Sequence, residues 1–534
     1  MLFALVLLSQ HGGRRVSAAQ PPHLVQLLVD DWGYFNAGWH SPGNPEVQTP
    51  HMDALVREGI ELDRAYAFKY CSPSRCALQS GRNPLQVNVL NLDGPEHNPA
   101  DPIGGWMGLP RNITGIATKL KSAGYRTIHV GKYDVGMGTA EHTPAGRGYD
   151  QSLIYFMHEN DYWDDTSYYT CGKNATTIVD LWKHNETYAG GARALNQSWA
   201  CSQSAQAGCA YVDDIFLAEV LAAINAHDTS TPLFLSWMPH GVHSPLEVPD
   251  AYLAKFAFIP DPRRRAYAAM VSHVDAMVGA VAAALKGRGM WDNLLWLAMA
   301  DNGGPIYNNG SAGANNFPLR GGKGSNFEGG VRANAWAAGG LLPPSQRGRK
   351  LGGLVALQDF YATFCHLAGV DPFDARAAAA GLPPVDSVNQ WPLLCCSSSN
   401  GTGPRGEVAL GSAGLLAPWS AGAPVVQGLI QPPFKLLLGE LGQNIWQSPA
   451  YPNETTSWPD APFSCAHGCL YNIEVDPSEY QDLSREQPGV VARMRARMGE
   501  LQRAVYSPNR GGDDGEACAA ALGKWGGFWG PFEP

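Results

Sequence analysis

The sequence predicts an α/β protein: a parallel sheet with helices on both faces, followed by a smaller α+β domain built on an antiparallel sheet. Three observations carry this. Four continuous apolar runs each end abruptly in polar or glycine-rich residues, which is how strands buried on both faces read. Helical patterns lie between those runs, and alternation of strand and helix implies a parallel sheet. Near residue 390 the texture changes to short strand-like runs. With 534 residues and 45% hydrophobic content, the chain is long enough for a large core and an appendage.

In chain order, the first predicted strand is Leu24–Val29, followed by Asp30-Asp31-Trp32-Gly33. Thr49–Glu58 opens with Thr-Pro, a cap plus first-turn proline, and reads as a helix. Gly115–Ser122 is a second helix, stopped by Ala123-Gly124. Thr127–Val130 is the second strand and runs into Gly131-Lys132-Tyr133-Asp134-Val135-Gly136. Leu233–Trp237 is the third, with His240-Gly241-Val242-His243-Ser244-Pro245 after it. Pro262–Leu285 is a long, alanine-rich helix, and Arg263, Arg264 and Arg265 form its solvated first turn. Leu294–Ala300 is the fourth strand and ends in Asp301-Asn302-Gly303-Gly304. Beyond a linker at Cys395–Pro404 come strands at Val425–Ile430 and Phe434–Leu438 and a helix near Val490–Tyr506. The expected division is 1–19 as a signal peptide, 20–390 as the main domain and 391–534 as the small C-terminal domain.

Ligands of open parallel sheets bind outside the carboxyl ends of the strands, so the four polar loops should converge on one site. Asp30, Asp31 and Asp301 with the amide oxygen of Asn302 form an all-oxygen, strongly negative donor set. Such a set suits a hard cation, Ca²⁺ or Mg²⁺. The loops from Asp150 to Cys209 are rich in Tyr, Trp, Asn and Asp. That suits sugar stacking and hydrogen bonding, or equally a surface excursion tied by Cys201 and Cys209.

A formal net charge of −10 and a single short basic run exclude nucleic acid as the natural partner. Leu2–Leu8 followed by Val16-Ser17-Ala18-Ala19 reads as a signal peptide, and no other stretch has the length of apolar sequence needed to span a bilayer. Sequons at Asn112, Asn174, Asn185, Asn196, Asn309, Asn400 and Asn453 and 11 cysteines point to a secreted or lysosomal protein. Cys201 and Cys209, Cys395 and Cys396, and Cys465 and Cys469 lie close in sequence, and an odd total leaves one cysteine unpaired.

The sharpest motif is Cys71-Ser72-Pro73-Ser74-Arg75, followed by Cys76 and then Gly81-Arg82. On residues alone, Cys71 and Cys76 form a disulfide beside a Ser-Pro-Ser turn. Cys-x-Pro-x-Arg followed by Gly-Arg resembles the signature of the type I sulfatases, downstream of Asp30-Asp31 and Thr49–Leu55 as in that family. His243–Pro249, Pro318–Lys323, Glu328–Arg332 and Leu470–Pro477 extend the likeness and resemble arylsulfatase B, the N-acetylgalactosamine-4-sulfatase type.

The resemblance implies an alkaline-phosphatase-like fold with a large, mixed, mostly parallel sheet. It implies hydrolysis of sulfate esters of sugars or aryl compounds, with Cys71 oxidised to formylglycine by the formylglycine-generating enzyme. Asp30, Asp31, Asp301 and Asn302 would hold Ca²⁺ together with the modified Cys71. Arg75 and Lys132 would steady the aldehyde hydrate, and His243 and Lys323 would contact the sulfate and the leaving oxygen. One departure stands out: the family reads Gly-Lys-Trp-His-x-Gly where this chain has Gly131-Lys132-Tyr133-Asp134-Val135-Gly136. Asp134 would then take the proton that the histidine normally takes, with a changed pH profile because an ordinary carboxylate is the weaker base. Two rival readings are a phosphonate or phosphate monoester hydrolase of the same superfamily and a non-catalytic sulfated-glycan binding protein.

Overall fold

His23–Val29 is buried along its whole length, and its strand pairs in parallel with Leu233–Met238 on one side and Leu294–Ala300 on the other. The computed structural model describes residues 20–534 except 92–93, 173, 192–199, 307–311, 398–400, 413–424 and 453–462. The expected signal peptide and the sequons at Asn196, Asn309, Asn400 and Asn453 therefore lie outside the described residues. Arg126–Lys132 pairs in parallel with Leu233–Met238, so the four strands read from the sequence are four neighbours at the centre of a ten-stranded sheet. Gln151–Tyr155 adds in parallel beside Arg126–Lys132, and Trp182–His184 and Ala189–Gly191 continue that side antiparallel. On the other side Ala335–Ala338 pairs antiparallel with Leu294–Ala300, followed by Ile60–Leu62 and Arg349–Leu351. The sheet is thus mixed and mostly parallel at its core.

The strands carry few polar side chains, and those satisfy one another. Gln26 donates to Ser236 Oγ at 2.7 Å, and His129 Nδ1 lies 2.9 Å from the same oxygen, which joins three adjacent strands. Burial pushes His129 down to about 3, so the ring is neutral. Trp237, Trp296 and Trp336 fill the centre of the core, and each fully buried large apolar side chain contributes about 1.5–3 kcal/mol.

The helix Pro262–Gly287 starts at Asp261, whose carboxylate accepts from the backbone N–H groups of Arg263 and Arg264. Its arginines are less solvated than expected: Arg264 meets Glu46 at 2.6 Å and Arg265 donates to the Ile259 carbonyl. This helix has the length and apolarity of a membrane span, but 67% of its most apolar window is buried inside the protein. It packs against Pro50–Glu58 and Val212–Ala226, while Ile116–Ser122 and Cys71–Ser80 pack on Asp359–Ala368.

Val408–Gly411, Val426–Gln431, Phe434–Leu441 and Phe463–Asn472 form the antiparallel C-terminal sheet, covered by the helix Pro488–Gln502. The end of the chain then returns to the larger domain: Gly512–Asp513 pairs with Glu96–His97 in a two-stranded sheet, and Cys518 is bonded to Cys171.

Two expectations are corrected. Residues 151–191 supply three strands of the large sheet and are no mere surface excursion; their runs are too short, and too polar in Trp182-Lys183-His184, to read as strands. The cysteines pair as 171–518, 201–209, 395–396 and 465–469, leaving Cys71, Cys76 and Cys365 free. Three cysteines stay unpaired where the odd count required one, and Cys71 and Cys76 are not joined: both lie within the helix Cys71–Ser80.

Cys171–Cys518 closes a loop of 347 residues. Cys518→Ser should cost about 2–4 kcal/mol and expose the segment after Arg510 to protease. Calorimetry and limited proteolysis check this; an unchanged Tm and cleavage pattern would show that the backbone pairing alone holds the segment.

Candidate active site

The sheet delivers its four polar loops to one edge. Asp30 and Asp31 follow the first strand, Lys132 ends the second, His243 lies beyond the third, and Asp301 and Asn302 follow the fourth. Gly131, at φ +101°, lets two strands approach closely enough to aim Lys132 inward; a Cβ there would lie 1.9 Å from the Met238 carbonyl oxygen. Cys71 is the first residue of the helix Cys71–Ser80, and Arg75 follows one turn later. The helix ends at Gly81, at φ +66°, where a Cβ would strike the Tyr361 ring. Arg82 is anchored on Asp374 at 3.0 Å and on the Pro383 carbonyl. The motif therefore divides: Cys71 and Arg75 build the site, and Gly81-Arg82 fixes the helix that presents them.

Every residue expected at the site from sequence is brought there, Asp134 through Ser72, the chain neighbour of Cys71. Cys71 Sγ is 3.4 Å from Asp30 Oδ1 and 3.7 Å from Asn302 Oδ1. Lys132 Nζ meets Asp30 Oδ2 at 2.6 Å, and Arg75 Nη2 meets Asp301 Oδ2 at 2.9 Å. Lys323 Nζ contacts Asp31 Oδ1 at 2.7 Å and donates to His243 Nε2 at 3.1 Å. Asn302 donates to Asp31 Oδ1 at 2.8 Å, and the Asp31 N–H to Asp301 Oδ1 at 3.1 Å. All of these side chains are buried. At Asp134, Ser72 Oγ donates to Oδ1 at 2.7 Å and His158 Nδ1 is 3.0 Å away.

Three carboxylates so close together cannot all hold charge easily. Burial raises Asp30, but the charges of Lys132 and Arg75 outweigh it and hold that carboxyl well below its ordinary value. Burial raises Asp31 and wins over Lys323, while burial and repulsion by Asp30 push Asp301 up to about 8. Carboxylate oxygens of Asp30 and Asp31, Cys71 Sγ and a His243 nitrogen lie within 4.8 Å of one another; the carboxylate oxygens, not the sulfur or nitrogen, suit a hard cation, and a bound cation would relieve the repulsion. Burial, then Lys323 and Lys132, hold His243 well below its usual range, so the imidazole is neutral. Its Nδ1 donates to the Ser244 carbonyl at 2.8 Å, leaving Nε2 to accept from Lys323. Burial and Asp30 push the Cys71 thiol well above its ordinary value, so the unmodified sulfur is no thiolate nucleophile.

Sequence reasoning missed His158, Glu159 and Ser72. Glu159 Oε2 accepts from Ser244 Oγ at 2.8 Å and lies 3.4 Å from His243 Nδ1. His158 and Glu159 sit in a stretch without a motif, and Ser72 hid inside one. His240 is no surface residue: it is buried and stacked on Tyr162 with ring centroids 3.9 Å apart.

Comparison with known proteins bears on family and fold. The family model described as Sulfatase matches residues 22–370. Arylsulfatase J of Mus musculus is 29% identical over 536 residues, covering 96% of this chain and 80% of that protein. N-acetylgalactosamine-6-sulfatase of Sus scrofa is 29% identical over 377 residues, covering 70% of this chain and 67% of that one. The crystal structure of Ps i-CgsB in complex with k-i-k-neocarrahexaose superposes with a TM-score of 0.70 at 24% identity, over 94% of this chain and 97% of that one, and so shares the fold.

The raised Asp301 carboxyl makes a prediction of definite sign. A carboxyl whose folded pKa lies above its unfolded value stabilises below the unfolded pKa and loses that contribution as pH rises through the folded pKa, here about 8. In chelator, Asp301→Asn should therefore gain stability relative to wild type as pH rises from about 5 to about 8. Paired melting curves across that range check it; a pH-independent difference would count against the crowded-carboxylate account.

Proposed function

The chain belongs to the sulfatase family, and from that premise we propose that Cys71, matured to formylglycine, is the reacting residue of a Ca²⁺-dependent site. The protein is a sulfuric ester hydrolase acting on sulfate esters of sugars or aryl compounds. The observation that carries the proposal is the position of Cys71 Sγ. It stands where the oxygens of the aldehyde hydrate would lie, between Asp30 and Asn302 and on a helix whose Arg75 reaches Asp301. Asp30, Asp31, Asp301 and Asn302 are the proposed cation ligands, with Cys71 as the fifth. When present, the hydrate supplies an oxygen nucleophile for sulfur and Ca²⁺ supplies positive charge for the sulfuryl oxygens.

The chain's own residues would do the rest. Lys132 is held protonated by Asp30 against the cost of burial, and with Arg75 it offsets negative charge at the reacting centre. Lys323 would protonate the departing alcohol or phenol oxygen as the S–O bond breaks. The neutral His243 accepts from that ammonium and fixes its direction, so we assign the donor role to Lys323 and the orienting role to His243. On the other side, Asp134 would take up a proton at Oδ2, a buried oxygen with no hydrogen-bond partner. One proton given and one received balance the addition of water across the ester.

Within this reading, 20–390 is the catalytic domain and 391–534 the small C-terminal domain. The motifs resembling arylsulfatase B make 4-sulfated N-acetylgalactosamine the first sugar to test, and Tyr168 is an exposed ring available to a sugar, whereas Tyr155, Tyr162, Trp163 and Trp182 are buried in the core. The four disulfides suit the secretory pathway, where the formylglycine-generating enzyme would mature Cys71 and where Asn112, Asn174 and Asn185 would carry glycans.

The first measurement is the mass of the tryptic peptide Tyr70–Arg75 from protein secreted by a eukaryotic host, with a known sulfatase as control. Conversion of Cys71 is expected; an unconverted Cys71 beside a converted control would sink the assignment. Lys323→Met should lower kcat about 10²- to 10⁴-fold on a sugar sulfate and much less on a nitrophenyl sulfate, whose leaving oxygen needs no proton. Equal losses on both esters would remove Lys323 from the donor role.

A further inference from the structure

We propose that His158 is a positioning residue for Asp134, the two side chains forming an imidazole–carboxylate pair that aims Asp134 Oδ2 at the reacting centre. The inference rests on the assignment of Asp134 as the proton acceptor. His158 lies three residues beyond the strand Gln151–Tyr155, and its Nδ1 is 3.0 Å from Asp134 Oδ1 and 3.3 Å from Ser72 Oγ. Ser72, the neighbour of Cys71 in the chain, donates to the same Oδ1 at 2.7 Å. Both donors fall on one carboxylate oxygen, and the other is buried without a partner. An anchored oxygen beside an open one is the arrangement a directed proton acceptor needs. Asp134 also sits in the left-handed region at φ +51°, so its direction is set by its partners as well as by its backbone.

The surroundings make His158 the group able to tune this carboxylate. Burial raises Asp134, but His158 leads the opposing influences, ahead of Lys132 and Arg75, and the carboxyl stays below its ordinary value. Lys132 and Arg75 are held protonated by their own carboxylates and do not titrate near neutrality. Tyr155 and Cys76 also face Asp134, and both are pushed up by burial. Asp180 is the remaining neighbour, raised to about 7 by burial while accepting from the backbone N–H groups of Phe156 and Met157. Against His158 itself lie Asp134, Ser72, the Tyr168 ring at 6.5 Å and the adjoining Glu159. The His158 side chain is 12% exposed and Asp134 is fully enclosed, so the imidazole connects the buried carboxylate to the rim.

With His158 neutral, its Nδ1–H donates to Oδ1 and the carboxylate keeps its charge for Oδ2. A proton then passes from an O–H of the reacting centre to Oδ2, and the electron pair of that O–H bond stays on its oxygen. With His158 as the imidazolium, its charge lowers the proton affinity of Asp134 and this transfer slows. Turnover should therefore rise with pH as His158 loses its proton.

Two readouts on the full chain test this. The first is the imidazole titration of His158 by NMR in Cys71→Ala protein, with and without Asp134→Asn. Loss of the carboxylate should move the His158 midpoint down by about one pH unit or more. The second is kcat against pH on an aryl sulfate. His158→Gln keeps a donor to Oδ1 but cannot titrate, so the acidic limb should vanish with KM unchanged. His158→Ala should lose about 10- to 100-fold in kcat, a part of the ~10²- to 10⁴-fold worth of a general base. Asp180→Asn is the control and should keep the limb. An unmoved His158 midpoint in Asp134→Asn, or a His158→Gln profile matching wild type, overturns the proposal. A wild-type protein inactive on every sulfate ester fails the reading it rests on, and the NMR titration then decides the pair by itself.

Discussion

Asp30, Asp31 and Asp301 are held at the carboxyl edge of a parallel sheet, out of water and close enough to repel one another. Arg75, Lys132 and Lys323 stand among them, so three carboxyl groups and three cationic side chains are buried together. Such a cluster is costly to assemble, since each ion gives up its hydration and regains it only in good geometry. The fold meets that cost by fixing each charge on a different rigid element: Asp30–Asp31 and Asp301 after two adjacent strands, Lys132 at the end of a third, and Arg75 inside a helix. The opposite displacements of Asp30 and Asp301 show that these cations do not fully satisfy the carboxylates.

The stretch after Gln151–Tyr155 ties the two sides of the site together. His158 reaches Asp134 and Ser72, while Glu159 reaches His243 and Ser244. Consecutive residues thus touch the groups proposed to accept and to orient a proton. The same stretch is braced by Asp180, which binds the backbone of Phe156 and Met157. Cys171–Cys518 then fastens the antiparallel pair Thr166–Cys171 and Thr176–Val179 to the end of the chain, so residues far apart in sequence share the duty of holding one wall.

Much of this was legible beforehand. Continuous apolar runs revealed Leu24–Val29, Thr127–Val130, Leu233–Trp237 and Leu294–Ala300 because strands buried on both faces admit few polar residues. The polar residues ending each run marked the site for the same reason: a charge at the mouth of a buried strand is expensive and seldom placed there without purpose. Trp182–His184 and Ala189–Gly191 escaped notice because three residues cannot display a period. Cys171–Cys518 escaped because a separation of 347 residues leaves no local trace.

By itself the sequence determined the fold class, the four central strands, the residues of the charge cluster and the departure at Asp134. These follow from local rules: hydrophobic runs, turn chemistry and a short motif fixed by spacing. Tertiary structure alone decided that Gly81-Arg82 supports the Cys71–Ser80 helix and does not touch the site, that His243 is neutral, and that Asp134 has an imidazole partner in His158. Each of those depends on which groups meet across the sheet edge and on how much water they lose there. Protonation states and pairings are properties of distance and burial, and neither is written along the chain.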